Sequence, residues 1–208
     1  MEPVQGYLEI MDKGFGFLRT IEENFQPKPE NTYVPNSLIR KFNLKEGSFI
    51  EGFGEKKGPS NPNLALLRIE TINKLPFEEF IATPLLQDQT SINPFERYII
   101  TQSKDDITGK ALDMIVPIGM GQRGLIISPP KSGKTTILRH MANSVVLNYP
   151  DAKVFILLVD ERPEEVTDFQ RGLQGAHVLY SSADQQIGQH MRMTRLAMHT
   201  AIRCAEIG

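Results

Sequence analysis

The sequence predicts two folded units of different class: a small all-β barrel followed by an α/β unit with a parallel sheet. Three observations lead to this division. Short β-like runs separated by turn-forming residues fill 1–72, and strand-like runs alternate with amphipathic helical runs over 111–208. Between them, 73–110 carries prolines and little periodicity, so it reads as a connector that packs on the following domain. A chain of 208 residues, 40% of them hydrophobic, can build two such cores.

The first unit is predicted from the spacing of its apolar runs. The predicted strands are residues 7–10, 15–19, 48–52 and 64–69. Residues 36–43 predict a short helical turn, and residues 56–63, rich in Gly, Pro and Asn, an exposed loop. Several short strands divided by turns are typical of a small barrel.

The second unit is predicted from alternating strand and helix patterns. In chain order these are a buried strand at 124–127, a helix at 134–148, a strand at 154–159, a helix at 164–174, a strand at 177–180 and a helix at 184–206. Strands that alternate with crossover helices form a parallel sheet.

Composition narrows the function classes. The net charge of -2 and the pI of about 6.1 argue against nucleic-acid binding through bulk positive charge, so any RNA binding must be local. The single cysteine, Cys204, excludes an internal disulfide and a multi-cysteine zinc site. No apolar run approaches the ~20 residues that a membrane span needs, and the amino terminus lacks a signal-peptide pattern. We therefore expect a cytoplasmic protein with no membrane partner.

A phosphate-binding loop is predicted at Ser128-Pro-Pro-Lys-Ser-Gly-Lys-Thr135, between a predicted strand and a predicted helix. Gly133 lets the backbone approach phosphates, and Lys134 brings a cation to the β- and γ-phosphates. Thr135 offers a hydroxyl to Mg²⁺, and Lys131 adds a second cation. The pattern predicts that ATP and Mg²⁺ bind here.

This loop departs from the general G-x-x-x-x-G-K-[ST] pattern at its first position. Ser128 replaces the first glycine, and Pro129 and Pro130 follow it. Because proline has no N–H to donate, these two residues stiffen the loop rather than bind phosphate.

Charged residues follow the next predicted strand at Asp160, Glu161 and Arg162. The carboxyl ends of parallel strands face the ligand crevice of an open α/β sheet. One interpretation assigns Asp160 to magnesium, as in a Walker B strand. Another has Glu161 orient and deprotonate the attacking water while Arg162 senses phosphate charge. A third makes the carboxylates a structural cap for the following helix.

Two aromatic residues predict a nucleic-acid surface on the barrel. Phe15 and Phe17 are two residues apart, so on a strand they share a face, and the adjacent Gly14 and Gly16 leave them uncrowded. Exposed rings of this kind stack bases. The alternative is that both are core residues. The pattern Lys13-Gly-Phe-Gly-Phe resembles cold-shock RNA-binding barrels, with Arg19, Tyr33, Arg40 and Lys41 as plausible neighbours.

Several stretches together resemble the Rho termination factors, a family of hexameric, RNA-dependent ATPases with a RecA-like core. They are Gly6-Tyr-Leu-Glu-Ile10, Gly14-Phe-Gly-Phe-Leu-Arg19, Ile39-Arg-Lys-Phe-Asn-Leu44, Pro117-Ile-Gly-Met-Gly-Gln-Arg-Gly124, Pro129-Pro-Lys-Ser-Gly-Lys-Thr135 and Asp160-Glu-Arg-Pro-Glu-Glu-Val-Thr167. The resemblance spans nearly the whole chain and is weakest in the connector and the final helix. It implies an OB/cold-shock-like barrel and the first part of a RecA-like P-loop domain.

The resemblance also implies roles for particular residues. Glu161 and Lys134 would be catalytic, since the family's magnesium-binding aspartate lies on a later strand. The implied ATP contacts are Gly119, Met120, Gly121, Gln122, Arg123, Gly124, Lys131, Ser132, Gly133, Lys134, Thr135, Thr136 and Arg162, with Thr136 near the adenine and Thr135 on Mg²⁺. The implied RNA contacts are Leu8, Phe15, Phe17, Arg19 and Tyr33.

For the whole protein, the resemblance implies single-stranded RNA and the RNA polymerase transcription complex as partners, and a homo-hexamer. The family continues through a Walker B strand, RNA-contacting central loops and an arginine finger, which follow the region matched here. We therefore expect the 208-residue chain not to hydrolyse ATP appreciably by itself. One departure is Asn61-Pro-Asn63, where many members are basic and aromatic, so RNA affinity or base preference is expected to differ.

Two other functions fit parts of the sequence. The first is a non-enzymatic module that binds single-stranded RNA and keeps a vestigial nucleotide site. The second is a rotary-ATPase catalytic subunit, which shares the RecA-like core and a glutamate after the second strand. The aromatic barrel in front of the core argues against the second.

Overall fold

A computed structural model describes residues 1–56, 63–129 and 131–207 of the chain. Most of the exposed loop predicted at 56–63 therefore lies outside the described residues, as do Asn61, Pro62 and Pro130, on which two of the departures above rest. The described residues form the barrel, the connector and the α/β unit, which are taken below in that order.

The first unit is a closed barrel of five strands, as predicted. The strands are β1 (Glu2–Ile10), β2 (Gly16–Arg19), β3 (Tyr33–Val34), β4 (Phe49–Lys56) and β5 (Leu64–Ile72). Their order around the barrel is β1-β2-β3-β5-β4, with β4 pairing back onto β1. All pairs are antiparallel except β3 with β5. Alternate residues point inward, and Leu8, Leu18, Val34, Ile50 and Leu66 form the core.

Tight closure of the barrel depends on a glycine in β4. A Cβ at Gly52 would lie 2.1 Å from the carbonyl oxygen of Arg68 on β5, closer than atoms approach without displacement. The β4–β5 register also shifts on either side of this point, between Glu51 and Gly52 and between Phe53 and Gly54. Such irregularities bend a strand, and here they let β4 curve around the core.

A short helix, α1 (Asn36–Lys41), packs against the barrel core and coincides closely with the predicted helical turn. Ile39 is buried against the core, whereas Arg40 and Lys41 are exposed. The Lys41 ammonium lies 5.2 Å from the centre of the Phe42 ring.

The connector contains more regular structure than its sequence predicts. Its elements are α2 (Phe77–Ala82), a single 3₁₀ turn (Leu86–Asp88), β6 (Arg97–Tyr98) and the start of α3 (Ile107–Ile115). Helix α3 continues past residue 110, and β6 pairs with β7 (Ile118–Gly119), which lies beyond the predicted connector. The Asp113 carboxylate accepts hydrogen bonds from the backbone N–H groups of Ile100 and Thr101, each 2.9 Å long. These bonds fold residues 97–119 into one compact segment.

The α/β unit comprises α4 (Lys134–Asn148), β8 (Val154–Glu161), α5 (Pro163–Gly172), β9 (Ala176–Ser182) and α6 (Ile187–Glu206). β8 and β9 are parallel, as predicted, and the four predicted helix and strand positions from 154 onward agree with the observed ones to within a few residues. Helix α6 packs on one face of this sheet, against Phe155 and Leu157, and α5 packs on the other, against Leu158. The connector is tied to α4, because the Ile99 N–H donates to the Tyr149 hydroxyl at 2.8 Å.

The strand predicted at 124–127 is not formed, so this prediction is wrong. Residues 122–129 have no regular structure, and Leu125 and Ile127 are 84% and 85% exposed. A parallel strand is stable only when neighbours complete its hydrogen bonds, and within the described residues β8 pairs with β9 alone. The apolar residues at 124–127 favour burial, but among the described residues no partner strand lies beside them.

The barrel and the α/β unit share a core. Ile21 and Phe25, from the loop after β2, pack with Leu179, Met193 and Leu196 of β9 and α6. Beside this cluster the Asn24 side chain donates to the Tyr180 carbonyl and accepts from the Tyr180 N–H, both at 2.9 Å. The amide of Asn24 thus satisfies the edge of β9 as a neighbouring strand would.

No helix in the described part of the chain combines the length and the apolar character that crossing a bilayer requires.

Candidate nucleotide cleft and nucleic-acid interface

The predicted phosphate loop forms an open turn in front of α4. Lys131 and Gly133 adopt left-handed backbone conformations, with φ of 62° and 90°. Gly133 is the N-cap of α4, and no side chain caps this helix. The N–H groups of its first turn therefore remain available to an anion, which the helix dipole also attracts. The Ser132 hydroxyl donates to the Pro129 carbonyl at 2.7 Å and holds the turn together.

A cleft of about 570 Å³ lies between this loop and the end of β8. It is lined by Ser128, Pro129, Lys131, Gly133, Lys134, Thr135, Thr136, Glu161, Arg162 and Glu165. Six of the thirteen residues predicted to contact ATP line this cleft: Lys131, Gly133, Lys134, Thr135, Thr136 and Arg162. Lys131, Lys134 and the uncapped helix end lie on one side of the cleft, and Glu161, Arg162 and Glu165 lie on the other. This arrangement can hold a polyphosphate near a group that accepts protons.

The end of β8 distinguishes the two candidate carboxylates. The register of β8 with β9 breaks between Val159 and Glu161, and Asp160 has a φ of 59°. This bulge turns Asp160 outward, where it is exposed, whereas Glu161 pairs with Ser182 and lines the cleft. The geometry favours Glu161 over Asp160 as the carboxylate that meets a bound ligand.

The electrostatic surroundings of Glu161 suit a proton acceptor. Burial raises its pKa above the usual range, and the negative charge of Glu165 raises it further, while Lys134 opposes the shift. A carboxylate with a raised pKa is a stronger base once it is ionised.

The segment predicted to bind ATP at residues 119–124 lies apart from this cleft. The Met120 N–H donates to the Glu96 carbonyl at 2.8 Å, and the Gly119 N–H donates to the Gln122 side chain at 2.8 Å. Arg123 and Gly124 are exposed. Because the strand after this segment is not formed, the described residues contain no element that aligns the segment with the phosphate loop.

Three aromatic rings form a cluster on the outer face of the barrel. Phe15 lies 5.8 Å from Phe17 and 5.5 Å from Tyr33, measured between ring centres, and Phe17 lies 6.0 Å from Tyr33. All three are half-buried, and none belongs to the barrel core. We call these three residues the aromatic cluster. Its rings offer a surface on which unpaired bases can stack.

Two residues predicted to bind RNA are not placed to do so by direct contact. Leu8 is fully buried in the barrel core, because residues alternate along β1 and its neighbours Tyr7 and Glu9 take the outer face. The Leu8 side chain therefore has no access to a ligand. Arg19 is 4% exposed, and its guanidinium lies 4.9 Å from the centre of the Phe17 ring.

Sequence reasoning missed the partner of Arg19. Glu9, on β1, lies opposite Phe17 of β2 and accepts a hydrogen bond from Arg19 at 2.6 Å. It also accepts from Arg192 on α6, which is 183 residues away in the chain. A charged residue among the apolar residues of the predicted strand 7–10 was the available signal for Glu9. Arg192 carried no such signal, because its partner is remote in sequence.

Comparison with known proteins agrees with an RNA-binding barrel followed by a nucleotide-binding unit. Residues 4–78 match the family model described as "Rho termination factor, RNA-binding domain". Residues 108–207 match "ATP synthase alpha/beta family, nucleotide-binding domain". The transcription termination factor Rho of Aquifex aeolicus is 38% identical over 207 residues, which are 98% of this chain and 48% of that protein. The chain is a homologue of the Rho termination factors.

Other Rho proteins align equally well. The Rho of Thermotoga maritima is 40% identical over 202 residues, which cover 97% of this chain and 47% of that protein. The Rho of Rhodopirellula baltica is 39% identical over 207 residues, covering 98% and 40%. The chain thus spans about half the length of the curated relatives it matches. The resemblance predicted from the motifs is confirmed, and the RNA-binding match in front of the nucleotide-binding one argues against a rotary-ATPase subunit.

Proposed function

We propose that this chain binds single-stranded RNA on its barrel and ATP with Mg²⁺ in its cleft, as the amino-terminal half of a Rho-type, ATP-driven RNA translocase in transcription termination. The observation that carries the proposal is the presence of the aromatic cluster and the uncapped phosphate loop in one homologue of Rho. The homology supports a cytoplasmic homo-hexamer that acts on the RNA polymerase transcription complex. The proposed units are 1–72, 73–110 and 111–208.

The RNA half of the proposal rests on the aromatic cluster. Phe15, Phe17 and Tyr33 present their rings within about one base width of each other, and Lys13 is exposed at the tip of the same hairpin. Stacking accepts any base, and nearby cations attract phosphates. Such local binding needs no overall positive charge.

The nucleotide half rests on the fit of the cleft to a triphosphate. The free N–H groups at the start of α4 and the cations Lys131 and Lys134 would hold the phosphates. Thr135 would place its hydroxyl on Mg²⁺, which neutralises phosphate charge when bound. Glu161 would orient the attacking water and accept its proton, and Arg162 would respond to phosphate charge.

We further propose that the 208-residue chain turns over ATP more slowly than about 1 s⁻¹, a slow rate for an ATPase. The resemblance assigns the magnesium-binding aspartate and the arginine finger to segments of the relatives outside the aligned half. An RNA-stimulated turnover at or above that rate from the purified chain would contradict this.

The second candidate is a non-enzymatic RNA-binding module with a vestigial nucleotide site. The exposed, unpaired segment 124–127 behind the phosphate loop favours it, because a loop without a supporting strand is held less firmly. On this alternative the cleft binds ATP weakly or not at all.

Two titrations test the proposal. Labelled pyrimidine-rich RNA and a fluorescent ATP analogue with Mg²⁺ are titrated separately with the chain, with the double variant Phe15→Ala/Phe17→Ala and with Lys134→Ala. We expect the double variant to lose RNA affinity by roughly tenfold or more, since stacking contributes about 1–3 kcal/mol per base. Lys134→Ala should lose only nucleotide affinity. Binding of RNA without measurable binding of nucleotide would favour the second candidate.

A further inference from the structure

A buried group of three charged residues joins the barrel to α6. Glu9 is 1% exposed and accepts hydrogen bonds from Arg19 Nε at 2.6 Å, from Arg192 Nε at 2.5 Å and from Arg192 Nη2 at 2.9 Å. Arg192 also donates to the Phe25 carbonyl at 2.7 Å. We call Glu9, Arg19 and Arg192 the charge cluster. One of its cations comes from the barrel and the other from the α/β unit.

The charge cluster lies directly beside the aromatic cluster. Glu9 on β1 is opposite Phe17 on β2, and Phe17 is opposite Tyr33 on β3, so the three side chains form one row across the outer face. The Arg19 guanidinium covers part of the Phe17 ring. The charges therefore adjoin the surface on which an RNA base would stack.

The net charge of the cluster depends on α6. Burial alone would raise the pKa of Glu9, but hydrogen bonds and charge from Arg192 and Arg19 outweigh it and hold that pKa below its usual value. Glu9 is therefore ionised at neutral pH, and two cations around one anion leave one net positive charge. Without Arg192 the cluster would be neutral, and a buried carboxylate would adjoin the stacking surface with a single partner.

Arg192 is also within reach of a ligand. A cleft of about 500 Å³ separates α6 from the β1–β2 hairpin and is lined by Glu9, Met11, Asp12, Gly188, Met191, Arg192, Thr194 and Arg195. The Arg192 side chain is 23% exposed. Met11, at the rim of this cleft, pairs with Phe15 through an N–H to carbonyl hydrogen bond of 2.8 Å. The cleft therefore lies between α6 and the hairpin that carries Phe15 and Phe17.

We propose that Arg192 is an RNA-affinity determinant, which supplies from α6 a positive charge beside the aromatic cluster of the barrel. This inference rests on the proposed RNA binding. It makes the RNA site a composite of both units, so that RNA held on the barrel also favours the docking of α6. The bound chemistry is a phosphodiester of a single strand whose bases stack on the aromatic cluster.

The test measures RNA affinity of the full chain by fluorescence anisotropy over a range of KCl concentrations. Arg192→Met should bind pyrimidine-rich RNA roughly three- to tenfold more weakly at about 0.1 M salt, and the slope of log affinity against log salt should fall by about 0.7, as for one lost phosphate contact on a single strand. Arg192→Lys should keep most of the RNA affinity and most of the salt slope. Arg171→Gln, which removes an exposed cation from α5 on the opposite face of the sheet, should change neither.

A double variant separates charge from mere docking. Glu9→Gln/Arg192→Met leaves Arg19 as the one charge of the cluster, so it restores a net positive charge and should recover the wild-type salt slope. It also contains no unpaired buried carboxylate, so it serves if Arg192→Met alone fails to fold. A purely structural role for Arg192 predicts no recovery.

The outcomes are distinguishable. If the wild type binds RNA and depends on Phe15 and Phe17, but Arg192→Met matches it in affinity and slope, the inference fails and the proposed function stands. If Arg192→Met weakens binding and the double variant does not recover it, the charge argument is wrong. If the wild type binds no RNA, the proposed function fails and the inference with it.

Discussion

The contact between Gly47 and α6 allows the docking of the two units to be tested by a single methyl group. Gly47 lies in the turn before β4 with a φ of +79°. A Cβ there would lie 2.5 Å from both the carbonyl carbon of His199 and the N–H nitrogen of Thr200, in the backbone of α6. Ordinary contacts begin at 3.4 Å, and helix backbone cannot rotate away as a side chain can. Gly47→Ala should therefore push α6 off the barrel.

The expected loss has two parts. An alanine in the left-handed region costs about 1–2 kcal/mol. Overpacking against a rigid neighbour adds about 1–3 kcal/mol. We therefore expect Gly47→Ala to lower the free energy of unfolding by about 2–5 kcal/mol, and the Tm by roughly 4–20 °C for a chain of this size.

A matched control isolates the contact from the backbone strain. Gly121 has a φ of +87°, and no described atom lies within 4 Å of where its Cβ would be. Gly121→Ala should therefore lose at most about 1–2 kcal/mol. Urea unfolding followed by circular dichroism measures both variants. Equal losses would show that α6 does not press on Gly47 and would refute the docking described here.

The same substitution links stability to RNA binding. Gly47 contacts α6 from the barrel, and Arg192 on that helix bonds to Glu9 of the barrel, so displacement of α6 should also draw Arg192 away from Glu9. We expect Gly47→Ala to lower RNA affinity, as Arg192→Met is expected to do. Gly121→Ala should leave RNA affinity unchanged.

Three further predictions concern single side chains. Burial, with smaller effects of Cys204 and Glu22, raises the pKa of Tyr7 to about 12, so the contribution of Tyr7 to stability is complete below pH 10 and is lost as pH rises through 12. In urea unfolding from pH 9 to 12, the free energy of unfolding should therefore decline more steeply for the wild type than for Tyr7→Phe. Parallel curves for the two proteins would contradict this. Glu161→Gln should bind an ATP analogue about two- to fivefold more tightly at neutral pH, since it removes a negative charge from the cleft. Because the pKa of Glu161 is raised, acidification should tighten binding by the wild type but not by Glu161→Gln, and an identical pH dependence in titrations of both would count against this. Thr135→Val should abolish the Mg²⁺-dependent part of analogue binding and leave the Mg²⁺-free part unchanged; an intact Mg²⁺ effect would remove Thr135 from the metal site.

The elements with strong local patterns were predictable from the sequence. The helix predicted at 134–148 is observed as Lys134–Asn148, because helix hydrogen bonds join residues close in sequence and leave a periodic pattern. The strands at 154–159 and 177–180 were predicted for a related reason, as short apolar runs between turn residues. The prediction of a strand at 124–127 was wrong, because the hydrogen bonds of a strand require a neighbouring strand that no local pattern can specify.

The candidate site was predicted in part. Lys134, Thr135 and Glu161 meet in one cleft because a loop, a helix start and a strand end follow from local patterns. The choice between Asp160 and Glu161 needed the bulge in β8, which depends on pairing with β9. The resemblance implied an RNA contact for Leu8, but closure of the barrel buries its side chain, and strand alternation alone does not say which face is buried.

By itself, the sequence determined the two classes of unit, the phosphate loop, the aromatic pair Phe15 and Phe17, and the resemblance to Rho. These features consist of residues that are near each other in the chain, where composition and spacing carry the physical information. Only the tertiary structure decided that Glu9 and Arg19 share their charge with Arg192, and that α6 closes on Gly47. Those contacts join residues more than a hundred positions apart, and the energy that forms them comes from burial between units rather than from any local preference.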